Sequence, residues 1–206
     1  MNDRNINKEL LQFKSEERIK KIREVIERRQ PDFSLILENI NDPHNLSAVI
    51  RTCDAVGVHE VNLLYHNGQK MPELSLTSSS SAIKWMNFTI FDNVKKCSDY
   101  VHSQGKRIYT TKLDADAISV YDVDFTQPIT LVFGNEHSGI SEELYRLADG
   151  NFTIPQVGMV QSLNISVAAA ISLYEGFRQR YSAGYYREPR LNPLEIENLM
   201  NEWLSK

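Results

Sequence analysis

A chain of 206 residues suits one ordinary domain with short terminal additions and can bury a core without disulfides. Apolar residues make up 41% of it, spread in short blocks, which excludes a disordered chain, and no block approaches the ~20 residues of a membrane span. The net charge of −4 excludes a uniformly basic nucleic-acid binder but leaves local basic patches open.

Residues 6–29 read as a charged amphipathic helix, with Leu10, Phe13, Ile22, Val25 and Ile26 as a broken apolar stripe. Arg18, Lys20, Lys21, Arg23, Arg28 and Arg29 interleave with Glu16, Glu17, Glu24 and Glu27. Such a face is either a solvated surface with i,i+4 ion pairs or an arm turned toward RNA or a partner. Pro31 is expected to end the helix. The compact apolar run 33–37 then reads as a buried strand, and a polar turn over 38–44 leads to a helix over 45–56 that Gly57 closes. A strand over 58–65 completes a βαβ unit. The stretch 66–81, with its serine run at 77–81, reads as a loop.

Further on, strands are expected over 86–91, 106–111, 129–133 and 151–154, and helices over 93–103, 141–148 and 164–181. Asp114, Asp116, Asp122 and Asp124 mark an exposed connection. Pro193 starts a last helix that reaches Leu204. The alternation makes an α/β fold with a mostly parallel sheet and helices on both faces. No linker splits the chain into two domains. Cys53 and Cys97 read as reduced thiols of a cytoplasmic protein, and no His or Cys spacing suggests a metal. The polar start of the chain shows no signal peptide.

Several common motifs are missing. Gly134 and Gly139 have phosphate-loop spacing, but Ile140 stands where the lysine belongs. No G-x-G-x-x-G follows a strand and no G-x-S-x-G elbow is present, which weakens dinucleotide and hydrolase readings.

Three blocks carry chemistry instead. In 41–53, Leu46, Val49, Ile50 and Cys53 should face the core and Ser47, Arg51 and Asp54 the other side. There Asn45 could cap the helix and Arg51 could pair with Asp54. In 131–141, a buried strand runs into a glycine-bounded loop bearing Glu136, at the end of a sheet where ligands bind. In 154–170, a polar loop ends at Ser162 and Asn164, ordinary helix-capping types, before a helix rich in small residues that belongs in a core or an interface.

Together these blocks resemble the three motifs of TrmH-type SPOUT methyltransferases: Asn45 through Gly57, then Phe133-Gly134-Asn135-Glu136 with Gly139, then Ile154-Pro155 and Gly158 through Asn164 with Ser166-Val167-Ala168. The resemblance spans residues 31–181 and reaches weakly into both tails. It implies a deep C-terminal trefoil knot within a SPOUT domain at 31–182, flanked by helical extensions at 1–30 and 183–206. It also implies an S-adenosylmethionine pocket lined by Thr111, Leu131, Val132, Phe133, Gly134, Asn135, Ile154 and Leu163, and a homodimer. The reaction it implies is methyl transfer to a ribose 2′-hydroxyl of RNA, with Arg51, Asn45, Glu136, Ser162 and Asn164 as catalytic residues and no metal required.

The additions at both ends are similar to those of the enzymes that methylate guanosine 18 in the tRNA D loop; an rRNA substrate, or a catalytically silent RNA-binding protein of the same fold, are the alternatives. Arg178, Arg180, Arg187 and Arg190, among Tyr181, Tyr185 and Tyr186, form a candidate tRNA-binding patch despite the acidic total. The same arginines also suit a surface helix end, where the dipole favours cations.

Overall fold

The computed structural model describes residues 14–72 and 82–206. The expected helical stripe at Leu10 and Phe13 and the serine run 77–81 lie outside them. Strands β1 (Gln30–Glu38), β2 (Val58–Leu64), β3 (Asn87–Phe91), β4 (Arg107–Thr110), β5 (Ile118–Ser119), β6 (Ile129–Phe133) and β7 (Gly150–Thr153) form one sheet in the order β3-β2-β1-β6-β4-β7-β5. Every neighbouring pair is parallel.

A parallel sheet must be covered on both faces, and the period of two in its strands divides the apolar side chains accordingly. Leu35, Leu37, Leu131 and Phe133 join the core formed with α2 (Pro43–Ala55) and α5 (Ile165–Ser182). Ile36 and Val132 point the other way, to α3 (Val94–Ser103) and α4 (Glu142–Leu147). A third cluster joins α1 (Glu16–Glu27) to α6 (Pro193–Ser205) through Ile22, Ile26, Leu199 and Met200. Trp85 packs on Trp203 beside it, ring centroids 5.0 Å apart. The two terminal helices therefore pack on each other.

Local chemistry sets the element ends. α2 begins at Pro43, earlier than the sequence pattern implies, because Asp42 caps it: the His44 amide donates to Asp42 Oδ1 at 2.8 Å. Asn45 therefore lies inside the helix with its side chain free for other partners. The helix closes at Gly57, whose φ is +81°, and a Cβ there would lie 2.8 Å from the Arg28 carbonyl oxygen. Pro31 does not simply end α1. It is the second residue of β1, which starts when the Gln30 amide donates to the Gly57 carbonyl at 2.8 Å.

Two expectations about α2 are corrected. Ser47 is buried, 2% exposed, rather than on the polar face. Asp54 does not pair with Arg51 but with Arg29, at 2.5 Å. Arg29 is almost fully buried and also donates to the Val58 and Trp85 carbonyls. One strand was also missed. Ile118 and Ser119 pair with β7 as the edge strand β5, within the stretch read as an acidic connection; two residues are too few to show a period.

Candidate active site

The carboxyl ends of β4, β6 and β7 border a cleft of about 660 Å³, where ligands bind in open α/β sheets. Its walls include Thr111, Phe133, Gly134, Asn135, Ile154 and Leu163. The loop after β6 is closed on itself. The Asn135 amide donates to the Gly139 carbonyl at 3.1 Å, and the Gly139 amide returns a bond to Asn135 at 2.8 Å. Inside the loop, the Asn135 carboxamide oxygen accepts from the His137 and Ser138 amides. A Cβ on Gly134 would lie 2.3 Å from the Gly139 carbonyl oxygen, so only glycine permits this closure.

The β4 end is tied in two ways. Thr111 Oγ1 donates to the Val132 carbonyl at 2.9 Å. The Asn151 carboxamide bonds both the amide and the carbonyl of Lys112. At the rim Lys112 pairs with Glu142 and lies 4.4 Å from the Tyr145 ring centroid. The hydrogen bond from Lys112 holds the Glu142 carboxyl below its ordinary range.

Three of the expected catalytic residues meet at the cleft. The Ser166 amide donates to Asn164 Oδ1 at 2.8 Å, Asn164 Nδ2 to Asn45 Oδ1 at 3.0 Å, and Asn45 Nδ2 to Glu136 Oε1 at 2.8 Å. Asn164 caps α5, as its residue type suggests, and its amide still reaches Asn45. This chain of aligned amides ends on a carboxylate, a charge-assisted arrangement. Beneath it, burial pushes the Tyr65 phenol up, helped by the charge of Glu136, while its hydroxyl donates to the Ile40 carbonyl at 2.6 Å.

The other expected residues divide. Ser162 lines the cleft. Arg51 is exposed on α2 outside the cleft, and among the described residues it makes no hydrogen bond or ion pair. Of the expected pocket residues, Leu131 and Val132 do not line the cleft: their side chains are consumed by the cores on opposite faces of the sheet. Lys112, His137, Phe152, Gln156 and Gln161 line it without having been singled out. Gln156 and Gln161 lie in the third motif block and His137 in the second, so proximity to those blocks was the available signal.

The basic tail is partitioned by burial. Arg180 is 0% exposed. It pairs with Asp32 at 2.6 Å and donates to the carbonyls of Phe125 and Gln127. Its assignment as an RNA contact is corrected: it is a structural bolt between α5 and the start of β1. Arg190 pairs with the other Asp32 oxygen at 2.6 Å and stacks on the Tyr185 ring at 4.0 Å. Arg178 pairs with Glu175 at 2.7 Å but stays exposed. Arg187 is exposed and has no ion pair among the described residues. It borders a second cleft of about 690 Å³ with Lys21, Arg28, Tyr181 and Tyr186.

Among the described residues no cluster of three or more His, Cys, Asp or Glu side chains is arranged to hold a metal, and no helix is long and apolar enough to cross a membrane.

Residues 32–174 match the SpoU rRNA Methylase family. A tRNA (guanosine(18)-2′-O)-methyltransferase of Thermus thermophilus is 44% identical over 94% of this chain and 98% of its own. The solved structure of the A. aeolicus TrmH/SpoU tRNA modifying enzyme superposes with a TM-score of 0.86 at 37% identity, covering 92% of this chain and 96% of that one. The SpoU methyltransferase AviRb of Streptomyces viridochromogenes, solved in complex with the cofactor AdoMet, superposes with a TM-score of 0.66 at 30% identity, covering 74% and 62%.

Proposed function

The chain belongs to the SpoU rRNA methylase family, and from that premise we propose that it transfers a methyl group from S-adenosylmethionine to the ribose 2′-hydroxyl of guanosine 18 in tRNA. The substrate follows the tRNA methyltransferases to which the chain is similar along nearly its whole length, and the donor follows the cofactor complex of AviRb. The observation that carries the reading is the hydrogen-bonded line Asn164–Asn45–Glu136, which draws three distant motif blocks together beside one cleft.

The cleft fits the donor. Its volume of about 660 Å³ lies inside the ~300–1,000 Å³ of small-molecule sites. Phe133, Phe152, Ile154 and Leu163 offer apolar walls, and Gly134 brings bare backbone to its edge. When bound there, S-adenosylmethionine supplies an electrophilic methyl group on a sulfonium.

The protein's part is positioning and proton management. A ribose 2′-hydroxyl is a poor nucleophile until its proton is strongly hydrogen-bonded or removed. In this reading Arg51 clamps the phosphate next to the target ribose and orients the hydroxyl. A guanidinium is a poor proton acceptor because it already carries the charge and has no free lone pair, so the hydroxyl proton leaves to the phosphate or to water. The amide line fixes Glu136, whose other oxygen is available to a substrate hydroxyl, and Ser162 and Asn164 complete the mouth of the cleft.

The working unit in this reading is a homodimer whose site draws on both copies. Its support is the exposure of Arg51 outside its own cleft, together with exposed Val157, Met159 and Val160 on the third-motif loop and Val167 and Tyr174 on α5. A trefoil knot through the loops after β6 and β7 is supported by the placement of β6 between β1 and β4. A catalytic domain at 31–182 with helical extensions at 1–30 and 183–206 is supported by the separate α1–α6 cluster. The reading places the protein in the cytoplasm, with tRNA.

The test is incubation with labelled S-adenosylmethionine and total tRNA or ribosomal RNA, followed by mapping of the modified nucleotide. Label at the 2′ position of guanosine 18 is the expected result. Label only in ribosomal RNA moves the substrate, and no label in any RNA sinks the enzymatic reading.

A further inference from the structure

Glu38, the last residue of β1, is 1% exposed, and its two oxygens serve different elements. Oε1 lies 2.8 Å from Nε2 of His66, itself 8% exposed just after β2. Oε2 accepts from the Ser141 amide at 2.9 Å. Ser141 is the N-cap of α4 and ends the loop that follows β6. The next residue, Asn39, has a φ of +53°, and its carbonyl accepts from Asn135 Nδ2 at 2.9 Å at the start of that same loop. Its side-chain oxygen accepts from the His66 amide at 3.1 Å. Two consecutive residues thus hold both ends of the loop that carries Glu136 and one wall of the cleft.

Burying a carboxylate is costly unless its oxygens are bonded, and a well-packed apolar residue often stabilises such a position as well or better. If the end of β1 needed only packing, leucine would serve. The carboxylate is spent on the loop. We infer that Glu38, steadied by His66, is a positioning residue for methyl transfer: it sets the loop to the shape that binds the donor. This rests on the reading of the cleft as the donor site, and Glu38 itself touches neither donor nor substrate.

The test uses the full chain. Calorimetry with S-adenosylhomocysteine and steady-state kinetics with tRNA are run on wild type, Glu38→Leu, Glu38→Gln, His66→Phe and His66→Gln. Glu38→Leu and His66→Phe should raise the Kd for S-adenosylhomocysteine and the donor KM by about tenfold, the scale of a lost charge-assisted hydrogen bond. The tRNA KM should stay within about twofold. Both glutamine variants, which keep an acceptor or a donor in place, should recover most of the loss. If Glu38→Leu does not fold, His66→Phe and its rescue by His66→Gln decide. Folded variants with unchanged donor KM and only lower kcat or Tm overturn the inference. Wild type that does not bind S-adenosylhomocysteine overturns the donor-site reading itself, and this inference with it.

Discussion

Asn45 Nδ2 donates to Glu136 Oε1 at 2.8 Å across 91 residues of sequence. The bond exists because Asp42, not Asn45, caps α2, and because the closed loop after β6 holds Glu136 at the mouth of the cleft. Asn45→Ala should therefore cost catalysis and not helix stability. Single-turnover rates should fall about 10- to 100-fold, with Tm shifted by less than ~2 °C. Asn164→Ala should lose rate to a similar extent and also about 1 kcal/mol of stability, because it removes the cap of α5. The rate losses of Asn45→Ala and Glu136→Ala should not add in the double variant; full additivity would mean the bond has no part in the reaction.

Arg51 is an exposed cation that makes no hydrogen bond or ion pair among the described residues, so its removal leaves no buried partner behind. Arg51→Ala should keep S-adenosylhomocysteine binding within about twofold and keep Tm, while turnover at saturating tRNA falls by two to four decades, or roughly 3 to 5 kcal/mol. Arg51→Lys should recover little, since an ammonium lacks the planar fork. A near-normal single-turnover rate in Arg51→Ala would remove it from the reaction.

Arg180 and Arg187 sit seven positions apart in the tail and should behave oppositely. Arg180→Ala leaves Asp32 with Arg190 as its one remaining ion-pair partner among the described residues, strips the Phe125 and Gln127 carbonyls of their donor, and should cost about 3 to 5 kcal/mol in denaturant unfolding. Arg187→Ala should leave stability within about 0.5 kcal/mol. It should weaken tRNA binding and reduce the slope of log affinity against log salt by about 1. Equal stability losses in the two variants would contradict the partition seen in the fold.

Asp32 makes the stability of this corner acid-sensitive. Burial alone would raise its carboxyl, but the charges and hydrogen bonds of Arg180 and Arg190 outweigh burial and hold it below its ordinary value near 3.8. A lowered folded value means the stabilisation is complete above the unfolded value, about pH 4, and is lost as pH falls below it toward the folded value. The wild-type unfolding free energy should therefore drop more steeply below about pH 4 than that of Asp32→Asn, which has nothing to protonate. Parallel pH curves for the two proteins would show that the pair does not couple to acid unfolding.

Much of the fold was legible because its signals are local. The apolar runs at β1 and β6, the 3.6 period of α2, and the prolines and glycines at element ends act within a few residues. The three motif blocks were legible for the same reason, each being a strand–loop–helix junction with its own composition. One error was local: Asn45 looked like a cap, but Asp42, three residues earlier, takes that role. Another came where the deciding partner was remote: Asp54 looked available to Arg51, but Arg29 claims it.

By itself the sequence determined an α/β chain with a parallel sheet, ligand loops at the strand ends, and the polar residues that could do chemistry there. Only the tertiary structure decided which of those residues meet. It aligned Asn164, Asn45 and Glu136 in one line, buried Arg180 against Asp32 while leaving Arg187 exposed, and set Glu38 under the loop after β6. The reason is physical: backbone periodicity and capping are settled by neighbours in the chain. The fate of a charge depends on desolvation and on a partner that folding alone brings within about 3 Å.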